Sequence, residues 1–333
     1  MKTRRESVGR RYAFNEVDRT IVNALDEYKV LRGSYLKTLV NRPEKYVKTR
    51  LRWLKDQGYI GNVRCRPETK QYPNLTKMND PLYYLKRRAV EELLNQEFVK
   101  EHKPENEEEF DKCLMVSTVL KETPNIPWMH SATLKRKKDL PSFVPMILGT
   151  EELALAYYQK ENLDYRQKLA YGYEVAMAGN HFKYYGILCR NRISRRNLAK
   201  WWHNHLKGKS ACFFTVDDLS TVEAKLNGGY EELIKLNAEN MGKVGTLTKT
   251  GETSLGLLCA NEQGKTYTIV DLTAWDVHKV RALATVKHEC FVGVKTNREL
   301  NDLLMVYPPL KKSAFNRVPL VVIFLEEGGV RVI

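Results

Sequence analysis

The sequence predicts a multidomain chain, α+β at its N-terminal end and α/β with a mixed sheet behind it. Three observations predict this. Three amphipathic helical patterns and then two strand patterns fill roughly the first hundred residues. The charge reverses over Glu101 to Glu109. From Phe143 onward, apolar strand patterns alternate with helical ones, as in a mixed-sheet α/β region.

In chain order, residues 1–13 carry Lys2, Arg4, Arg5, Arg10 and Arg11 and read as a basic arm. Asn15-Glu16-Val17-Asp18 opens the first helix. Asn15 has a capping side chain, and Asp18 brings negative charge to the positive end of the helix dipole. Val17, Ile21, Leu25 and Tyr28 recur at helical spacing. Gly33-Ser34 closes that helix and starts a short second one with Tyr35, Leu36, Leu39 and Val40 on its apolar side.

The third helix, from Pro43 to Gly58, carries most of the positive charge of this region. Pro43 suits a first helical position, where its missing N–H has no partner anyway. Gly58 suits the left-handed residue that closes a helix. Val47, Leu51 and Leu54 share one face, which leaves Lys45, Tyr46, Lys48, Thr49, Arg52 and Lys55 for the others. A narrow apolar stripe under this much positive charge is the pattern of a helix that enters the DNA major groove.

Tyr59 to Cys65 then alternates as a strand, a polar stretch with Pro67, Pro73 and Asn74 follows, and Leu82 to Leu85 is a second strand. Helix, short helix, basic helix, strand, loop, strand is the order of a winged helix-turn-helix, here over residues 14–100. Arg64, Arg66 and Lys70 fall on the wing, where they would contact the phosphate backbone. Lys86 to Lys100 reads as a helix that packs back on this module or pairs with its copy in a homodimer. Residues 101–109 read as an acidic linker, 110–240 as an α/β domain, and 241–333 as a second α/β unit or a continuation of the first.

Within the α/β region, Phe143 to Leu148, Tyr171 to Met177, Tyr184 to Cys189 and Ala211 to Val216 read as strands. Glu151 to Lys168, Ile193 to Leu206 and Ser220 to Leu226 read as helices. Thr246 to Ala260 and Lys265 to Leu272 read as strands around the turn 261–264. A helix over 274–285, a strand over 289–294, a helix over 298–306 and a strand over 318–324 follow, and a Gly-Gly turn leads into the last residues. Phe213 to Val216 and Phe291 to Val294, each followed by a helix, suggest an internal echo.

Composition bounds the partners. The 333 residues carry a formal net charge of +15 and a pI of about 9.4, an excess that favours a polyanion, with double-stranded DNA the expected partner. No apolar run approaches the roughly 18 residues of a membrane span, and no apolar core follows the basic N-terminus as in a secretory signal. Six single cysteines, with no CxxC pair, read as reduced thiols of a cytoplasmic protein rather than as a zinc ribbon or a disulfide framework. No cofactor is expected.

The run Lys48-Thr49-Arg50-Leu51-Arg52-Trp53-Leu54-Lys55-Asp56-Gln57-Gly58-Tyr59-Ile60, the polar wing, and Leu82-Tyr83-Tyr84-Leu85 leading into a helix resemble winged-helix regulators. They are similar in particular to the N-terminal domain of the replication-relaxation family of plasmids, phages and integrative elements. The resemblance covers residues 13–96. It implies replication initiation or transcription control on a mobile element, and a C-terminal domain like a degenerate restriction endonuclease.

A working site of that endonuclease type needs an acid and then Glu-x-Lys on one strand, so that two carboxylates hold Mg²⁺ and the lysine steadies the water. Here Glu174 supplies the glutamate, Ala176 stands in place of the lysine, and Met146 in place of the acid. The expectation is therefore DNA binding without catalysis. Lys45, Tyr46 and Thr49 would face base edges. Lys48, Arg52 and Lys55 would face phosphates, and Arg50 a phosphate or a guanine.

Two alternatives stay open. One is a metal-dependent nuclease or nickase using Glu174, or His203 and His205 with Tyr184 or Tyr185 as nucleophile. On a helix those two histidines would point about 200° apart, which counts against a metal site; none is expected. The other is a scaffold that recruits replication or partition machinery. Arg192, Arg196 and Lys200, spaced along one helical face, would give a second backbone contact.

Overall fold

The computed structural model describes residues 13–63, 80–159, 163–206, 210–242, 244–283, 286, 289–307, 320–327 and 330–332. The chain divides into two compact units, Met1–Thr133 and Leu134–Ile333. Together they form a mixed α/β structure with three open sheets among the described residues.

In the first unit, α1 (Glu16–Tyr28) starts with a reciprocal cap. Asp18 N–H donates to Asn15 Oδ1 at 3.2 Å, and Asn15 N–H donates to Asp18 Oδ2 at 2.9 Å. This satisfies two of the N–H groups that a helix start leaves without partners. After α1 the chain enters β1 (Val30–Arg32), α2 (Gly33–Val40), α3 (Glu44–Asp56), β2 (Ile60–Val63) and β3 (Leu82–Leu85). The three strands pair antiparallel in the order β1-β3-β2, with Val30 opposite Tyr84 and Gly61 also opposite Tyr84.

Strand β1 has no counterpart in the sequence reading, which ran from α1 straight into α2. Three residues are too few for a period to show, and β1 exists because β3 pairs with it. Pro43 caps α3 from outside rather than opening it, whereas Gly58, at φ +75°, makes the left-handed turn expected of it.

The helix expected over 86–100 is only α4 (Arg87–Glu92). The expected linker at 101–109 lies inside the first unit. Asn106 caps α5 (Glu107–Glu122), accepting the N–H of Glu109 at 2.9 Å. α5 covers the sheet: Leu114 is buried with Val30, Leu82 and Tyr84, and Ser117 Oγ accepts the N–H of Arg32 at 3.0 Å. A small sheet needs its apolar face covered, and the cover is α5, most of which falls in the stretch from residue 110 that the sequence assigned to the next domain. β4 (Met129–His130) and α6 (Ser131–Lys137) complete the passage to the second unit.

The second unit begins with β5 (Met146–Gly149), β6 (Leu153–Tyr158), α7 (Leu163–Met177), β7 (Tyr184–Cys189), α8 (Arg192–His205) and β8 (Cys212–Thr215). β5 and β6 are antiparallel, and β6, β7 and β8 are parallel. Two elements differ from the sequence reading. The helix expected over 151–168 is β6 followed by the start of α7, and the strand expected over 171–177 is the end of α7. Leu153 to Tyr158 is buried throughout; an apolar run without polar alternation carries no period to separate strand from helix.

After α9 (Ser220–Leu226) and α10 (Glu231–Asn240) come β9 (Leu247–Glu252), β10 (Leu257–Asn261), β11 (Thr266–Asp271), α11 (Val277–Leu283), β12 (Cys290–Val294), α12 (Asn297–Val306), β13 (Leu320–Phe324) and β14 (Val330–Val332). Their sheet runs β14-β13-β12-β11-β10-β9, antiparallel at both edges and parallel from β11 to β13. The single strand expected over 246–260 is two, β9 and β10. The boundary expected at 240/241 does not separate α10 from this sheet, because Ile234 and Ala238 of α10 share a core with Leu257, Ile269 and Phe291.

The internal echo is present as topology, in another alignment. The path β5-β6-α7-β7-α8-β8 repeats as β10-β11-α11-β12-α12-β13, an antiparallel pair followed by two parallel crossovers. The strand Cys212–Thr215 then corresponds to Leu320–Phe324, not to Cys290–Val294.

Candidate nucleic-acid interface

Helix α3 presents two faces of different chemistry. Val47, Leu51 and Leu54 are buried, and so is Arg50. Lys45, Tyr46, Lys48, Thr49, Arg52 and Lys55 are exposed, Tyr46 to 40%. Apolar residues on one stripe drive the first face into the core.

Arg50 corrects the sequence reading. It was expected at DNA and instead lies 2% exposed against Asp18, with Nε donating to Asp18 Oδ1 at 2.8 Å. Its Nη2 also donates to the carbonyl of Ala13 at 3.0 Å, and the guanidinium stands 4.5 Å over the Trp53 ring. Spacing shows that Arg50 shares the face of Val47 and Leu54; the buried acid 32 residues away is visible only in three dimensions.

The exposed face has local order. Thr49 Oγ1 donates to the carbonyl of Lys45 at 2.9 Å, and Asn15 Nδ2 donates to the Tyr46 hydroxyl at 3.1 Å. Glu44, in the first turn, bridges Lys37 at 2.9 Å and Lys48 at 2.7 Å. Hydrogen bonds from these two lysines hold its carboxyl down at about 2. The sequence reading missed Glu44 as a brake on the basic face; an acid at i, i+4 from Lys48 was the available signal. It also missed Arg88, whose Nη1 donates to the carbonyl of Gln57 at 2.8 Å, where a cation opposes the negative end of α3. Arg64, Arg66 and Lys70, expected on a wing, lie outside the described residues, as does the arm up to Arg11.

The residues of the nuclease alternative are not brought together as that chemistry needs. Glu174 is on α7, a helix, and not on a strand. His203 and His205 are on α8 and are engaged separately. Arg281 Nε lies 3.1 Å from His203 Nδ1, and His205 Nδ1 lies 2.8 Å from the Trp201 carbonyl. Burial, and then the Arg281 charge, lower the pKa of His203. Burial raises that of Tyr185 far above its ordinary value. Among the described residues no group of three or more His, Cys, Asp and Glu side chains is placed to hold a metal ion.

The second basic face is also redirected. Arg192 Nη2 donates to Asp302 Oδ1 at 2.7 Å, Arg195 Nη2 donates to Glu299 Oε1 at 2.7 Å, and Arg196 lies 3.8 Å from Asp302. These pairs fasten α8 to α12, while Lys200, the third residue expected on that face, is exposed. Among the described residues no helix is long and apolar enough to cross a membrane. No protein-family model, curated protein or solved structure matches the chain.

Proposed function

We infer that the first unit is a winged-helix module that binds double-stranded DNA through α3. The observation that carries this reading is the division of α3, with an apolar face and a buried arginine on one side and six exposed polar or basic residues on the other. The order α1-β1-α2-α3-β2-β3 and the sheet β1-β3-β2 support it, because they match the winged-helix arrangement in which the third helix enters the major groove. The net charge of +15 supports a polyanionic partner.

In this reading Lys45 and Tyr46 meet base edges, while Lys48, Arg52 and Lys55 meet phosphates. Thr49 offers its methyl group and a hydroxyl already bonded to the helix backbone. The resemblance to the replication-relaxation family supports a role in replication initiation or transcription control on a mobile element, by DNA binding without cleavage. Selection from a random duplex library, followed by footprinting, tests the reading. A defined protected site that disappears in Lys48→Ala/Arg52→Ala is the expected result; a site that survives in that variant overturns it.

A further inference from the structure

The second unit carries an exposed aromatic pair that the function above does not use. Phe143, 49% exposed, and Tyr171, 57% exposed, stack with ring centroids 5.1 Å apart and planes 19° from parallel. Tyr171 is on α7, and Phe143 is on the segment that enters β5. Two large rings facing water as a stacked pair leave an apolar surface that burial elsewhere would have removed.

The pair is held by its backbone. Gly172 follows Tyr171, and a Cβ there would lie 2.3 Å from Pro145 Cδ. The missing side chain lets the 143–145 segment lie directly on α7, so both rings are presented by close packing.

Cations flank the stack. Lys135 of α6 donates to the carbonyl of Ser142 at 2.7 Å, which brings its ammonium to the residue before Phe143. Arg136, next on α6, is exposed. Lys168 is exposed on α7 one turn before Tyr171, on the same side of the helix. Glu174, one turn after Tyr171, is acidic, so a polyanion is favoured toward Lys168.

We propose that Phe143 and Tyr171 form a stacking platform for single-stranded nucleic acid, with Lys168 holding the phosphates. Flat faces for bases beside cations for the backbone are what such a strand requires, and stacking tolerates any sequence. Duplex DNA keeps its base faces inside the helix, so the exposed rings favour an unpaired strand. This site is in the second unit and stands whether or not α3 reads duplex DNA.

The test uses the full chain, a fluorescein-labelled oligothymidylate of about 20 nucleotides and a duplex of the same length, with binding read by fluorescence anisotropy. Phe143→Ala and Tyr171→Ala are expected to weaken single-strand binding about five-fold or more each, Tyr171→Phe to retain it, and Lys168→Glu to weaken it and flatten its salt dependence. Duplex binding should stay at the wild-type level in all four. An oligothymidylate that does not bind the wild-type chain, or that binds both alanine variants as tightly as wild type, overturns the proposal. So does single-strand binding that is lost in Arg52→Ala and kept in Tyr171→Ala. Since both rings are exposed, an unchanged melting temperature confirms that each variant is folded.

Discussion

Arg50 of α3 and Asp18 of α1 form an ion pair inside the first unit, with Arg50 Nε donating to Asp18 Oδ1 at 2.8 Å and both side chains at most 2% exposed. The same carboxylate accepts the N–H of Asn15 and so closes the start of α1. One buried acid thus sets where the first helix begins and how the third is rolled. Arg50→Ala leaves Asp18 charged, buried and unpaired, and is expected to cost about 3–5 kcal/mol of stability. Urea unfolding measures this, and a loss under about 0.5 kcal/mol, the size of an ordinary surface change, would contradict the assignment.

Arg52, two residues along on the exposed face, should behave in the opposite way. Arg52→Ala should leave stability within about 0.5 kcal/mol of wild type. It should weaken duplex binding on every sequence and reduce the salt slope by about one. Tyr46→Ala should instead change which sites are preferred. Competition titrations against several duplexes separate the two, and equal losses on all duplexes for both variants would remove Tyr46 from base readout.

Glu44 withholds two cations from the basic face. Glu44→Gln frees Lys37 and Lys48, so duplex affinity should rise and its salt dependence should steepen. The sign with pH follows from the lowered carboxyl. What the bridge adds to folding is present above the ordinary carboxylate range and is lost only as pH falls toward about 2. Tighter binding by the glutamine variant should therefore persist at pH 5 as at pH 7. Affinity equal to wild type in low salt would show that the bridge does not hold these lysines back.

Burial pushes the thiols of Cys113, Cys189, Cys212 and Cys290 up to about 12. The thiolate is the reactive form, so Cys189, Cys212 and Cys290, which are buried, should stay closed to Ellman's reagent at pH 8 until the chain unfolds. Mass spectrometry after a short exposure to iodoacetamide identifies which cysteines react. Prompt labelling of Cys189 or Cys212 in native protein would contradict the buried setting described here.

Gly256 joins β9 to β10 at a place where a side chain does not fit. A Cβ would lie 1.9 Å from the backbone oxygen of Ile269, which cannot withdraw without breaking the β10–β11 pairing. Gly256→Ala should lower stability by more than about 1 kcal/mol, beyond the usual entropic gain of such a change. Thermal melting of the variant checks this, and a higher melting temperature would contradict it.

Local patterns in the sequence determined a good deal. The cap of α1, the basic outer face of α3, the turn at Gly58 and the periods of α8, α9 and α12 were all legible, because each depends on residues within a few positions of one another. The tertiary structure decided the rest. Strand β1 needs β3, about fifty residues away, before three residues can be a strand. Leu153 to Tyr158 became strand because burial on both faces removes the alternation that separates strand from helix, whereas Tyr171 to Met177, with Tyr171 and Glu174 exposed, is the continuation of α7. Arg50 faces inward because Asp18 is there to receive it, and Arg192 and Arg195 face α12 because Asp302 and Glu299 are. Charge in a sequence tells how many cations a chain carries. Only the fold tells which of them are already paired, and hence which are left for a partner.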